Sequence, residues 1–363
     1  MNSAKRVLLV IAISALPLSL ISAPPSPTKD QARPKLESAE TCKECHKQHY
    51  LEWKNSAHAH FSRKENVPFL RLSERVGGRN KNISHCQACH EPLRQFQESV
   101  SDSKIIAKER ISCDLCHSVS IDHARQKFKL HPSGAKQGPT GKGKSPKHAV
   151  VYSKEIASSD FCLVCHHKSR IDHRKLRREF PTELVNCQNC HMPPRTDGSK
   201  GRSHAFPGRY SEEMLQKAFQ FDVAVQEADA GMQIDVKMKN IVNAHSVPPA
   251  PRGYSHIVLL VSAHDVSNRI VWRNWDRKPS KEPVFSNIHA DSRGQVPAAI
   301  YVKAKESKRF QCLVKNKAIL WVEARLVAYA VAPSQVAAMK LKDAFYTRGR
   351  TMAFKRLYLG KKK

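Results

Sequence analysis

The sequence predicts an α+β chain, with a mostly helical and loop domain poor in regular structure followed by a small antiparallel β-sandwich. Two observations carry this. Ten of the 11 cysteines of the 363-residue chain fall in five copies of Cys-x-x-Cys-His, all between Cys42 and His191. Beyond residue 215 the pattern changes to apolar alternation with the period of a half-buried strand, and no further Cys-x-x-Cys-His occurs. With 40% apolar residues and a mean hydropathy of −0.53, the chain is no polytopic membrane protein, yet it has enough apolar residues for at least one packed core.

The N-terminus carries Lys5 and Arg6, an apolar run from Val7 to Ile21, then Ser22 and Ala23. That order predicts a secretory signal over residues 1–23 and an exported protein, periplasmic or extracellular. Pro24 follows Ala23 directly and resists cleavage, so an uncleaved anchor is the alternative. Residues 24–40, with Pro24, Pro25, Pro27 and Pro34 among Lys, Arg and Ser, read as an exposed linker.

Residues 41–214 hold the five motifs: Cys42, Cys45 and His46; Cys86, Cys89 and His90; Cys113, Cys116 and His117; Cys162, Cys165 and His166; Cys187, Cys190 and His191. The spacing is that of c-type haem attachment, in which two thiols bond to the two vinyl groups and the following imidazole reaches the iron. Zinc ribbons, structural disulfides and redox Cys pairs compete for the Cys-x-x-Cys alone. They do not require the fifth residue. With 19 histidines in the chain, its presence in all five copies by chance has a likelihood on the order of 10⁻⁶ or lower. Five covalent haem c groups are therefore expected, at about 30 residues per haem. So little polypeptide makes the porphyrins most of the apolar interior and brings them close together.

The second axial ligand separates a carrier from a catalyst, because an iron with both positions filled passes electrons while an open one binds substrate. Histidines outside the motifs are plentiful and methionines number seven, so bis-His ligation is expected. From Cys42 to about Ala263 the chain resembles the multihaem c-type cytochromes related to the tetrahaem cytochrome of ammonia oxidisers. More distantly it is similar to hydroxylamine oxidoreductase and octahaem tetrathionate reductase. The resemblance rests on Trp53, Ser56, His58 and His60 after the first motif and on Ile111 to Val119 around the third. It also rests on Gly138-Pro139 ahead of His148, Ser158 to Cys162, and Cys187 to Pro193.

The resemblance implies distal ligands at His58, His148 and His204. His60 competes with His58 at two residues' remove. His123, six residues past His117, has the spacing of a further ligand without the intervening Gly-Pro. His245, in Asn243-Ala-His-Ser-Val-Pro, is similar to a ligand-bearing element with Ala244 in place of the usual Gly. His85, His131, His167 and His173 are held in reserve.

Residues 215–335 alternate at Phe221, Val223 and Val225 and at Met232, Ile234, Val236 and Met238. Apolar runs follow at Ile257 to Val261, Ile270 to Trp272, Ala299 to Lys303 and Ile319 to Val331. They predict the sandwich, with Cys312 a buried and inert thiol on one strand. The remainder, 336–363, reads as a solvated, partly helical basic tail.

Lys and Arg number 62 against 32 Asp and Glu, a formal charge of +30. Haem propionates and loss of the signal leave about +18. Nucleic-acid binding is excluded by export. Acidic redox proteins or an anionic membrane surface are the expected partners, with part of the charge a solvated Lys cluster at Lys136, Lys142, Lys144 and Lys147. The favoured function is electron transfer between an extracytoplasmic donor and acceptor. The alternative is an oxidoreductase acting on a small nitrogen or sulfur compound at one open-site haem, or a subunit docking through its β-domain. Every motif here ends in His, whereas pentahaem nitrite reductases mark the catalytic haem with Lys.

Overall fold

The computed structural model describes residues 36–62, 84–96, 109–123, 127–131, 135–141, 145–166, 186–242, 244–248, 256–275, 288–289, 298–299, 302–315 and 318–360. Residues 1–35, with the expected signal or anchor and most of the expected linker, lie outside the described residues. Among the described residues no helix is long and apolar enough to cross a membrane.

The N-terminal part is built of short helices. These are α1 (Ala39–Lys43), α2 (Lys47–Lys54), α3 (Ala57–Ser62), α4 (Ser84–His90), α5 (Cys113–His117), α6 (Ser159–His166) and α7 (Cys187–His191). Two small ribbons lie between α5 and α6. One is antiparallel, β1 (Val119–Asp122) with β2 (Lys127–Leu130), and one parallel, β3 (Lys136–Gly138) with β4 (Val150–Tyr152). Their apolar core is small: Leu36, Leu93, Phe96, Leu115, Val119, Ile121, Phe128 and Val164.

Leu36, 1% exposed, belongs to that core, so the expected linker ends earlier than residue 40. Glu109 fixes the entry by accepting from Ser38 Oγ and from the Ala39 N–H, while the Glu37 N–H donates to Asp114. Asp114, inside the third motif, is 1% exposed and is satisfied by Lys136 Nζ at 2.6 Å and Ser118 Oγ at 2.9 Å. Lys136 is thus no part of a solvated cluster. A buried carboxylate needs such a partner, and the two are separated enough in sequence to hide the pairing.

After α8 (Glu212–Gln216) come β5 (Phe219–Ala228), β6 (Gly231–Asn240), β7 (His256–His264) and β8 (Ile270–Arg273). The short β9 (Ile288–His289) and β10 (Ala298–Ala299), β11 (Ser307–Val314) and β12 (Trp321–Tyr329) follow. α9 (Pro333–Met339), α10 (Ala344–Thr347) and β13 (Gly349–Tyr358) complete the chain. The strands form a three-stranded sheet, β11-β6-β5, and a four-stranded sheet, β13-β12-β7-β8, all antiparallel. Alternate residues of both enter one core: Val223, Ile234, Val236 and Val314 from the first, Leu259, Val261, Val322, Leu326 and Met352 from the second. Cys312 sits in it, and burial pushes its thiol up to about 11. At the β5–β6 turn only glycine is tolerated, because a Cβ on Gly231 (φ +144°) would lie 2.2 Å from the Val314 carbonyl oxygen.

The C-terminal segment corrects the expectation of a solvated tail. β13 pairs with β12 from Trp321↔Tyr358 to Tyr329↔Gly349, and Met352 is 1% exposed. Arg350 donates to the Tyr210 carbonyl and the Thr351 N–H to Glu212, tying this strand back to the cysteine-rich half. Its basic residues, Arg350, Lys355 and Arg356, interrupt the apolar pattern, and in sequence they mask the strand.

Candidate metal centre

In a helix, residues i, i+3 and i+4 share a face. α5 and α7 begin on the first Cys of a motif and end on its His, so both thiols and the imidazole issue from one side of a single turn. The second and fourth motifs close the longer α4 and α6, while in the first Cys42 lies in α1, Cys45 in the turn after it, and His46 precedes α2. Cys86 lies in α4, with its side chain outside the described ones.

Four motif imidazoles each face a histidine from a distant segment. The ring centroids of His46 and His148 are 6.3 Å apart, those of His166 and His58 6.4 Å, those of His117 and His204 6.2 Å, and those of His191 and His245 6.3 Å. One iron taking a nitrogen from each of two imidazoles at about 2 Å sets the centroids roughly 6.3 Å apart. The four separations fit that group and exclude direct ring contact.

Hydrogen bonds turn these rings. Nδ1 of His117 donates to the Gln137 carbonyl at 2.7 Å, Nδ1 of His191 to the Pro207 carbonyl at 2.6 Å, Nδ1 of His204 to the Arg202 carbonyl at 3.0 Å and Nδ1 of His245 to the Ser246 carbonyl at 2.8 Å. A carbonyl only accepts, so each Nδ1 carries the proton and Nε2 keeps the free lone pair that a metal requires. Burial pushes His58 down to about 4, helped by the nearby His166, and His204 down to about 4, helped by His49 and His117. These are neutral imidazoles, the ligating form.

The motifs also touch one another. The side chain of Cys42 lies beside that of Cys113 and the side chain of Cys162 beside that of Cys187, and Cys89 Sγ approaches the Cys165 carbonyl at 3.8 Å. Phe206 lies edge-on to His58 at 4.6 Å and 5.9 Å from His204, between two of the facing histidines. Motif one therefore neighbours three, and four neighbours both five and two.

His60, the competitor of His58, instead stacks on Phe345 of α10 at 3.7 Å. His123 lies 3.7 Å from Glu155 with its side chain 59% exposed, an ion-pair position on the surface and not a place in any of the four pairs. His85, by its side chain, and His167 and His173 lie outside the described residues, while His131 donates its backbone N–H to the Ser118 carbonyl.

Two residues went unnoticed in sequence. His49 is edge-on to His46 at 5.9 Å and to His204 at 4.7 Å, joining the first and third sites; its i+3 spacing from His46 was the available signal. Glu52 on α2 binds Arg195 through Nε at 3.2 Å and Nη2 at 3.0 Å and accepts from the His204 N–H at 2.8 Å. Burial alone would raise its pKa, but these donors hold it below the usual carboxylate range. Arg202 bonds the Gln188 and Met192 carbonyls, so the loop bearing His204 is moored at both ends. Nothing local in the sequence marks Glu52.

Cysteine-bearing turns, facing histidines and a separate β core give the chain the fold of the multihaem c-type cytochromes. Residues 41–118 match the family of cytochrome c554 and c-prime. Among solved structures, the chain is similar to a penta-heme cytochrome c552 from Thermochromatium tepidum. The two are 20% identical with a TM-score of 0.72, over 89% of this chain and 99% of the other. No curated protein matches the sequence.

Proposed function

We propose that the chain is a pentahaem electron carrier of the periplasm or cell exterior, in which histidines fill both axial positions of most irons. Haem c, once attached, supplies an iron that exchanges one electron between its ferric and ferrous forms. The observation that carries the reading is the set of four histidine pairs at 6.2–6.4 Å. His46, His117, His166 and His191 take one axial position, and His148, His204, His58 and His245 the other. His90 serves the fifth site, with Cys86 and Cys89 as its thioether residues. The relation extends to the hydroxylamine oxidoreductase and octahaem tetrathionate reductase group, with the two sheets acting as a haem-free β-sandwich.

The surplus of Lys and Arg steers acidic redox proteins or an anionic membrane surface toward the carrier. The backbone carbonyls that accept from Nδ1 raise the basicity of the ligands and favour low reduction potentials. Electron paramagnetic resonance with spin quantitation, on oxidised protein from an exporting host with haem-ligation machinery, tests the reading. Five low-spin irons support it. A high-spin iron among them opposes it in favour of an oxidoreductase, to be titrated with nitrite, hydroxylamine, sulfite and tetrathionate.

A further inference from the structure

Arg110 precedes the third motif and packs against the residue that follows the second. Its Nη2 binds Glu91 Oε1 at 3.2 Å, and its side chain is 12% exposed. Its Nη1 is buried and has no acceptor among the described residues. The carboxylates close to it are already engaged. Glu91 Oε2 accepts from Arg94 Nη1 at 3.2 Å and Gln87 Nε2 at 3.1 Å, and Glu109 accepts from Ser38 Oγ and the Ala39 N–H. The positive charges of Arg110 and Arg209 both reach His90.

A guanidinium nitrogen kept from water is matched by an acceptor, and guanidinium favours carboxylate or phosphate geometry. Among the described residues no carboxylate is left for this one. The anionic groups that enter the region with the cofactor are propionates, carried by the macrocycles joined at residues 86–90 and 162–166, whose motifs touch through Cys89 and the Cys165 carbonyl.

We infer that Arg110 Nη1 is a built carboxylate site that clamps a haem propionate beside His90, with Glu91 holding the guanidinium in aim. This rests on haem attachment at the second and fourth motifs. The clamp places a fixed positive charge beside a redox centre, which favours the reduced state and so raises that centre's potential. Arg209 adds to the same field without being part of the clamp.

A crystal structure of the holoprotein reads the contact directly: a propionate oxygen within hydrogen-bond distance of Nη1 is expected, and water, a protein carbonyl or a free anion there overturns it. Spectropotentiometric titration of Arg110→Gln should lower one midpoint potential, on the order of a tenfold change in that haem's reduction equilibrium, or 59 mV for one electron. Arg110→Lys, which keeps the charge, should shift it less. Potentials of Arg110→Gln that coincide with the parent's refute the clamp, as does a parent potential that moves with added nitrite. Haem counting by mass spectrometry separates the two levels: a missing haem on the second or fourth motif of the parent removes the premise, whereas full loading with no shift removes this inference alone. Should Arg110→Gln fail to load, the parent crystal structure still decides.

Discussion

Replacing Glu52 with Gln tests how the loop carrying His204 is held. The carboxylate receives both Arg195 contacts and the His204 N–H, and the Arg195 and Glu52 side chains are only 5% and 14% exposed. An amide presents one acceptor and turns an N–H toward the guanidinium, so a buried cation is left without its counter-charge. Breaking one partner of such a pair costs about 3–5 kcal/mol, and a hydrogen bond to a charged group about 1.5–3 kcal/mol. A loss of about 3 kcal/mol lowers the guanidinium midpoint of the holoprotein by roughly 0.5–1 M.

Because the loop also presents His204 to His117, part of the third site should turn high-spin, read by electron paramagnetic resonance. Arg195→Met should cost a similar amount, and the double variant should recover much of the loss, since no unpaired buried charge remains. The carboxyl is held below its ordinary value of 4.5, so its contribution is complete above that pH and disappears as pH falls through the folded-state value. In Glu52→Gln this acid dependence should flatten. An unchanged midpoint together with fully low-spin irons would refute the reasoning.

His58→Ala should convert one low-spin iron to high-spin, whereas His60→Ala should leave the spectrum unchanged and cost about 0.5–1.5 kcal/mol of stability through the lost Phe345 stack, checked by denaturation. Mass spectrometry should find five haem additions in the parent and one fewer in a Cys113→Ala, Cys116→Ala variant; four in the parent would sink the count. Gly231→Ala should lose about 3 kcal/mol, from backbone strain and the clash with the Val314 carbonyl, measured as a denaturant midpoint with haem loading intact.

What could be read in the sequence was whatever is written locally. A pentapeptide fits within one helical turn, and alternation at Ile234, Val236 and Met238 declares a strand without knowledge of its partner. Long-range matters were harder. His148 could be singled out by resemblance, yet its position opposite His46 depends on folding the chain across the first half of the molecule. Lys136 reads as part of a solvated cluster, and nothing local singles out Glu52 or Arg195, because their partners lie far along the chain. Strand β13 was hidden by its cationic residues, although Arg350 is buried and Met352 belongs to the core.

The four histidine pairs also have a topological side. His46 to His148, His58 to His166, His117 to His204 and His191 to His245 are overlapping arcs, each beginning before the preceding one ends. With an iron at each crossing, every peptide bond between residues 46 and 245 is bridged by at least one arc. A protease that nicks a loop in this span would therefore not release a fragment, because the two pieces stay joined through coordination bonds until the metal–ligand links are broken. Cleavage would be visible on a denaturing gel and silent in gel filtration, and the last arc, reaching from α7 to the segment before β7, extends this tethering from the haem-bearing half into the β half.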